Sequence, residues 1–89
     1  MKIIISPQAE KKLKRLLKID QIAIAQKIRS LREEKNMLTA EKLHGYIDIY
    51  RVRVGNYRIV YRKLSESYYI VLIGHRKDIY DLLQRLLKS

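Results

Sequence analysis

The sequence predicts an α+β fold, a small antiparallel sheet with two helices before it and one after it. Three observations predict it. Residues 49–62 alternate with period two on both sides of a Gly55-Asn56 turn, residues 68–73 form a short run apolar on both faces, and the flanking stretches repeat their apolar residues at helical spacing. At 89 residues the chain is long enough for one small domain, 1–89, and too short for two.

Each element has its own signal. Lys2 to Ser6 reads as a short strand, and Pro7 ends it while suiting the first turn of a helix with Ser6 as N-cap. In that helix Ala9, Leu13, Leu16 and Leu17 recur at helical spacing among Lys11, Lys12, Lys14, Arg15 and Lys18. Asp20 is placed to cap a second helix, whose stripe is Ile24, Ile28 and Leu31 and whose end is crowded with Arg29, Arg32, Glu33, Glu34 and Lys35. Periodicity lapses from Asn36 to Gly45, which marks a connection. A hairpin, Tyr46 to Arg62, follows, then the polar turn Ser65-Glu66-Ser67 and the apolar run Tyr68 to Ile73, as a central strand requires. Asp78 is a plausible N-cap for a last amphipathic helix carrying Ile79, Leu82, Leu83, Leu86 and Leu87.

The hairpin holds the most information. Gly55-Asn56 suits a two-residue turn, and counting outward pairs Val54 with Tyr57, Arg53 with Arg58, Val52 with Ile59, Arg51 with Val60 and Tyr50 with Tyr61. One face then carries Tyr50, Val52, Val54, Tyr57, Ile59 and Tyr61. The other carries Arg51, Arg53 and Arg58, with Arg62 further along. A register slipped by one residue would mix charge into the apolar face. Like charges directly opposite destabilise a strand pair, so Arg53 facing Arg58 suggests an anion between them, and phosphate is one that guanidinium grips well. A solvated arginine face is the plainer alternative, whereas the tyrosines read as core.

Composition narrows the function classes. Twenty Lys and Arg against nine Asp and Glu give a net charge of +11, which points to a polyanion such as nucleic acid, an acidic membrane surface being the other candidate. The last twelve residues are neutral, so the excess lies upstream of the final helix. Cysteine is absent and there are two histidines, His44 and His75, which removes disulfides and argues against a metal site or metal cofactor. No apolar run is long enough for a signal peptide core or a bilayer span, and the expectation is a soluble, cytoplasmic protein with no membrane partner.

His75 and Arg76 stand where the last strand turns into the helix, a place where backbone N–H groups point outward toward anions, and Tyr80 falls in the first helical turn. Arg51, Arg53, Arg58, Arg76 and Tyr80 would then share one positive face. No carboxylate pair, Ser/His/Asp set, glycine-rich phosphate loop or metal-ligand cluster competes with it. If that face cleaves RNA, the substrate's own 2′-hydroxyl attacks the adjacent phosphorus, the 5′-oxygen leaves, and the arginines stabilise the charge that develops on the phosphoryl oxygens. Arginine stays protonated, so Tyr80 or His75 is the candidate acid or base.

At these residues the chain resembles the RelE family of toxin-antitoxin toxins, in the RelE/ParE superfamily. The motifs are Lys42-Leu43-His44-Gly45, then Tyr50-Arg51-Val52-Arg53-Val54-Gly55-Asn56-Tyr57-Arg58-Ile59-Val60-Tyr61, then Gly74-His75-Arg76-Lys77-Asp78-Ile79-Tyr80. The resemblance runs over essentially the whole chain. It implies a type II toxin that enters the ribosomal A site and cleaves messenger RNA there without a cofactor. It also implies that a cognate antitoxin holds the toxin inactive and that operator DNA is met only through the antitoxin complex. The family's catalytic positions fall on Arg51, Arg53, Arg58, Arg76 and, most nearly, Tyr80, with Lys42, Arg62 and Lys77 as candidate RNA contacts. Two departures stand out. Ribosome-dependent members carry lysines at the positions of Arg51 and Arg53, and their tyrosine lies later in the final helix. ParE-type toxins resemble the same fold and act on DNA gyrase without an RNA-cleaving site, and a further alternative is a non-catalytic partner in a DNA-binding repressor complex.

Overall fold

The structure is a computed structural model that describes residues 2–33 and 40–87. Its elements run β1 (Lys2–Ile5), α1 (Pro7–Arg15), α2 (Lys18–Ser30), β2 (Glu41–Lys42), β3 (Ile49–Val54), β4 (Tyr57–Lys63), β5 (Ser67–His75) and α3 (Ile79–Leu87). Glu34, Lys35 and residues 36–39 of the expected connection lie outside the described residues, as does the side chain of Leu87.

The five strands form one sheet in the order β1-β5-β4-β3-β2. β3, β4 and β5 make the expected antiparallel meander, and the β3–β4 register is the one the alternation requires, from Tyr50 against Tyr61 to Val54 against Tyr57. Gly55 adopts φ +57 at the first turn position, the conformation a type II′ hairpin turn demands and a side chain would resist. Two pairings at the sheet's edges go beyond the periodicity. β1 joins parallel to β5, making the sheet mixed, and the two-residue β2 pairs with β3 inside what the sequence marked as a connection.

Alternation sorts the strands' side chains onto two helical layers. Val52, Ile59, Tyr61, Tyr68, Ile70 and Ile73 pack against Ala9, Ile24, Ile28 and Leu31 of the first two helices and their end. On the opposite face Ile49, Val60, Val71 and Leu72 meet Ile79 and Leu83 of α3. Each fully buried aliphatic side chain in these layers is worth roughly 1.5–3 kcal/mol. Val71 is the extra residue of a bulge: Val60 pairs with Leu72 but Tyr61 with Ile70. The bulge carbonyl is satisfied from outside the ladder, by the Ser6 hydroxyl at 2.8 Å. That same oxygen accepts from Ala9 N–H at 3.0 Å, so the expected N-cap of α1 also fastens the helix to β5.

Two expectations about the helix link are corrected. α1 stops at Arg15, because Leu16 turns to an extended ψ of 161, and Leu17 points outward at 73% exposure. α2 restarts at Lys18 with Leu17, and not Asp20, at its N-cap. The Gln21 amide closes this link by donating to the Leu16 and Lys14 carbonyls at 3.0 and 3.2 Å. Asp20 falls instead inside the first turn, where its charge suits the positive end of the helix. Leu31 is buried with Ile24 and Ile28 as the stripe predicts.

Candidate functional site

α3 covers only part of its face of the sheet, and the arginines occupy the remainder. Arg53 and Arg58 are direct cross-strand partners, and Arg51 sits two residues up the same face of β3. Gly74 lies opposite Arg58 on β5, and a β-carbon there would come within 3.0 Å of Ile79, so glycine lets α3 start close against the strand end. The turn after β5 is tied to the hairpin tip by the Arg76 N–H donating to the Asn56 carbonyl at 2.8 Å. This clamp brings Arg76 near Arg58, whose guanidinium feels its charge.

The electrostatics follow from that crowding. The Arg58 guanidinium is held below its ordinary pKa, first by burial and then by the positive fields of Arg53, Arg51 and Arg76, with Glu41 opposing them. Arg58 donates to the Tyr57 carbonyl at 3.1 Å and Arg53 to the Gly55 carbonyl at 3.4 Å. Among the described residues neither has a carboxylate partner. Arg51 does: its Nε donates to Glu41 at 3.2 Å and its terminal nitrogen to the same oxygen, and this contact holds the Glu41 carboxyl below the usual carboxylate range. The Arg51 guanidinium also lies over the Tyr80 ring, 5.4 Å from its centre. Four guanidiniums with one neutralising carboxylate, set at the edge, make a site able to hold an anion with several oxygens.

Arg51, Arg53, Arg58, Arg76 and Tyr80 therefore come together. Other sequence candidates do not. His75 is paired with Tyr57, on the face of α1 and α2, with its ring edge-on to Tyr57 at 5.8 Å. Its Nδ1 accepts from the Lys77 N–H at 3.2 Å. The register likewise sets Lys42 beside Tyr50, across the sheet from the arginines. Arg62 shares the arginine face but stands four residues beyond Arg58, about 13 Å along the strand. Lys77 is exposed in the turn before α3.

Sequence reasoning missed Glu41, which sits in an aperiodic stretch and reaches Arg51 only because β2 adds to the sheet edge. It also missed a pocket of about 260 Å³ beside Tyr80, lined by Leu43, His44, Tyr46, Tyr80, Leu83 and Gln84. The spacing of Tyr80 and Gln84, one helical turn apart, was the available signal for part of it.

The class to which the chain belongs is the small toxins of the RelE/ParE superfamily. The chain belongs to the ParE toxin family of type II toxin-antitoxin systems, whose family model matches residues 3–80. It is 43% identical over 44 residues to Toxin RelE3 of Methanocaldococcus jannaschii, a match over 49% of this chain that spans only about half, 50%, of that relative's length. Among solved structures it is similar to the RelB-RelE antitoxin-toxin complex from Methanococcus jannaschii, with TM-score 0.73 and 29% identity over 88% of this chain and 95% of that one. The isolated Escherichia coli RelE toxin matches in fold, with TM-score 0.69 and 21% identity over 97% of this chain and 98% of that one. Among the described residues no helix is long and apolar enough to cross a membrane.

Proposed function

We propose that the chain is a ribosome-dependent endoribonuclease, an mRNA interferase that cleaves messenger RNA in the A site. The observation that carries this reading is the grouping of Arg51, Arg53 and Arg58 on the α3 face of the sheet with Arg76 in the turn beside Arg58, Arg53 and Arg58 lacking a carboxylate partner among the described residues. The 2′-oxygen of the substrate bonds to the adjacent phosphorus and the bond from phosphorus to the 5′-oxygen breaks, leaving a 2′,3′-cyclic phosphate and a 5′-hydroxyl. The nucleophile is the substrate's own, so the reaction calls for no metal and no cofactor. Arg58, Arg53 and Arg76 stabilise the charge on the phosphoryl oxygens, and Arg51 orients the phosphate beside Tyr80. Tyr80 is the proton-transfer candidate at this spot, while His75 lies across the sheet. Arg62 and Lys77 extend the positive surface for the rest of a large RNA, whereas Lys42, on the opposite face of the sheet, lies outside it.

The RelB-RelE complex of a relative supports a cognate antitoxin as the partner; the proposal extends to that antitoxin holding the toxin inactive and to operator DNA being met only through their complex. Toeprinting of a defined message on ribosomes with an empty A site tests the reading. New cuts in the A-site codon by the wild type that vanish with Arg58→Ala are the expected result. The match to the ParE family favours one other reading, inhibition of DNA gyrase. Loss of gyrase supercoiling activity with no cuts on the ribosome would replace the nuclease.

A further inference from the structure

We infer that the pocket beside Tyr80 receives one nucleobase of single-stranded RNA, and that His44 and Gln84 set which base it prefers. This rests on the nuclease reading and names the subsite that would give it sequence preference. The pocket is lined by the apolar Leu43 and Leu83, the aromatic Tyr46 and Tyr80, and the exposed polar His44 and Gln84. Leu83 is fully buried, whereas Tyr80 is 43% exposed, so the cavity is closed beneath and open to solvent above.

Three features point to a base in particular. At about 260 Å³ the cavity falls below the roughly 300–1,000 Å³ of sites for larger ligands and suits a single flat ring system. Tyrosine faces are what an unstacked base exchanges its neighbours for, and a carboxamide beside an imidazole offers both donors and acceptors to a base edge. Tyr80 also links the two places: it lines the pocket and the Arg51 guanidinium lies over its ring, so a base in the pocket sits next to the arginine cluster.

The pocket is preformed. The Leu43 N–H donates to the Ile49 carbonyl at 2.9 Å, which closes the loop carrying His44 and Tyr46 onto β3. Leu43 and Tyr46 pack on the buried cluster of Ile49, Val60, Ile79 and Leu83. Little ordering is left for binding to supply.

Titration of the full chain with the four nucleoside 3′-monophosphates, against inorganic phosphate and ribose 5-phosphate, tests the assignment by NMR. At least one nucleotide should bind more tightly than inorganic phosphate and shift the Tyr46 and Gln84 signals. Tyr46→Ala should remove that advantage, by roughly 5- to 150-fold if one stacked base is lost. Tyr46 is half-buried, so the exposed positions serve as the second arm: Gln84→Leu and His44→Ala should change the order of preference among the four nucleotides by about 3- to 10-fold, the size of a lost hydrogen bond. Ile47→Ser, in the same loop but outside the pocket and 82% exposed, should change nothing. Nucleotides that bind no better than inorganic phosphate, or an order of preference untouched by Gln84→Leu and His44→Ala, would overturn the pocket. Because the titration needs no ribosome, its result stands apart from the toeprint: base selection without cuts would refute the nuclease and keep the pocket, and cuts without base selection would do the reverse.

Discussion

The two faces of the β3–β4 hairpin are built from alternate residues of the same thirteen positions, yet they do opposite things. One face sends Val52, Ile59 and Tyr61 into a closed layer under α1 and α2. The other sends Ile49 and Val60 under α3 and then runs out of helix, leaving Arg51, Arg53 and Arg58 uncovered. The covered face is apolar apart from Lys63 at the end of β4 and the buried Tyr61 hydroxyl, whereas the uncovered one sets like charges side by side, which costs stability. A strand pair that tolerates this keeps its cost on one face and its compensation on the other. On the proposed function, activity and stability are therefore separable by one residue of sequence.

The covered face should give the largest effect. Ile59 is fully buried among Val52, Tyr61 and Ile73, and Ile59→Ala is expected to cost about 2–5 kcal/mol in urea unfolding. Its neighbour is the counter-test. Arg58→Ala should lower RNA cleavage by about 10²–10³ while leaving the unfolding midpoint unchanged or higher, since it removes a crowded cation. A destabilisation by Arg58→Ala as large as that of Ile59→Ala would show that the arginine face is structural and break the comparison.

Much of this contrast was legible in the sequence because period two reports on two neighbouring strands at once. The Gly55-Asn56 turn and the alternation around it determine the register, and with it the facing of Arg53 and Arg58 and the inward tyrosines. The Ser6 cap and the buried Ile24, Ile28 and Leu31 were equally visible, being local. What escaped depends on contacts between distant segments. The parallel seat of β1 and the addition of β2 leave no periodic trace in strands of four and two residues. Glu41 escaped with β2. The place of His75 was not legible for a related reason: adjacency to Arg76 says nothing about which face of the sheet a strand end selects, and pairing with Tyr57 places it on the α1 and α2 side.

Within the covered face, Tyr61 offers a smaller test. Its ring stacks on Tyr50 with centroids 5.7 Å apart and meets Tyr68 edge-on at 5.5 Å, and its hydroxyl is buried without a partner among the described residues. Burial, with Tyr68 and Tyr50 adding to it, pushes its pKa up to about 12. Tyr61→Phe is expected to be neutral or stabilising, by up to about 1–3 kcal/mol, because it removes an unsatisfied polar group and keeps the ring. A proton held more tightly in the folded state supports folding below the ordinary value and is lost as pH rises. Wild type should therefore lose stability between pH 10 and about 12, and the advantage of Tyr61→Phe should widen over that interval in chemical denaturation. A constant difference would mean the hydroxyl is solvated.

Glu41 should give the smallest effect, and it probes where the uncovered face stops being bare. Its carboxylate occupies the Arg51 guanidinium that a phosphate would otherwise take, and its lowered pKa means the pair persists at neutral pH and dissolves as pH falls through the acid range. Both groups are solvent-accessible, so salt screens them and the pair contributes little to folding. If the carboxylate competes with RNA, Glu41→Gln should tighten binding of a non-cleavable oligonucleotide a few-fold at low salt, with a steeper salt dependence because one more cation meets phosphate. Weaker binding would give Glu41 the opposite part: it would be the group that holds Arg51 over Tyr80, and the uncovered face would then depend on its one anion for the geometry of its cations.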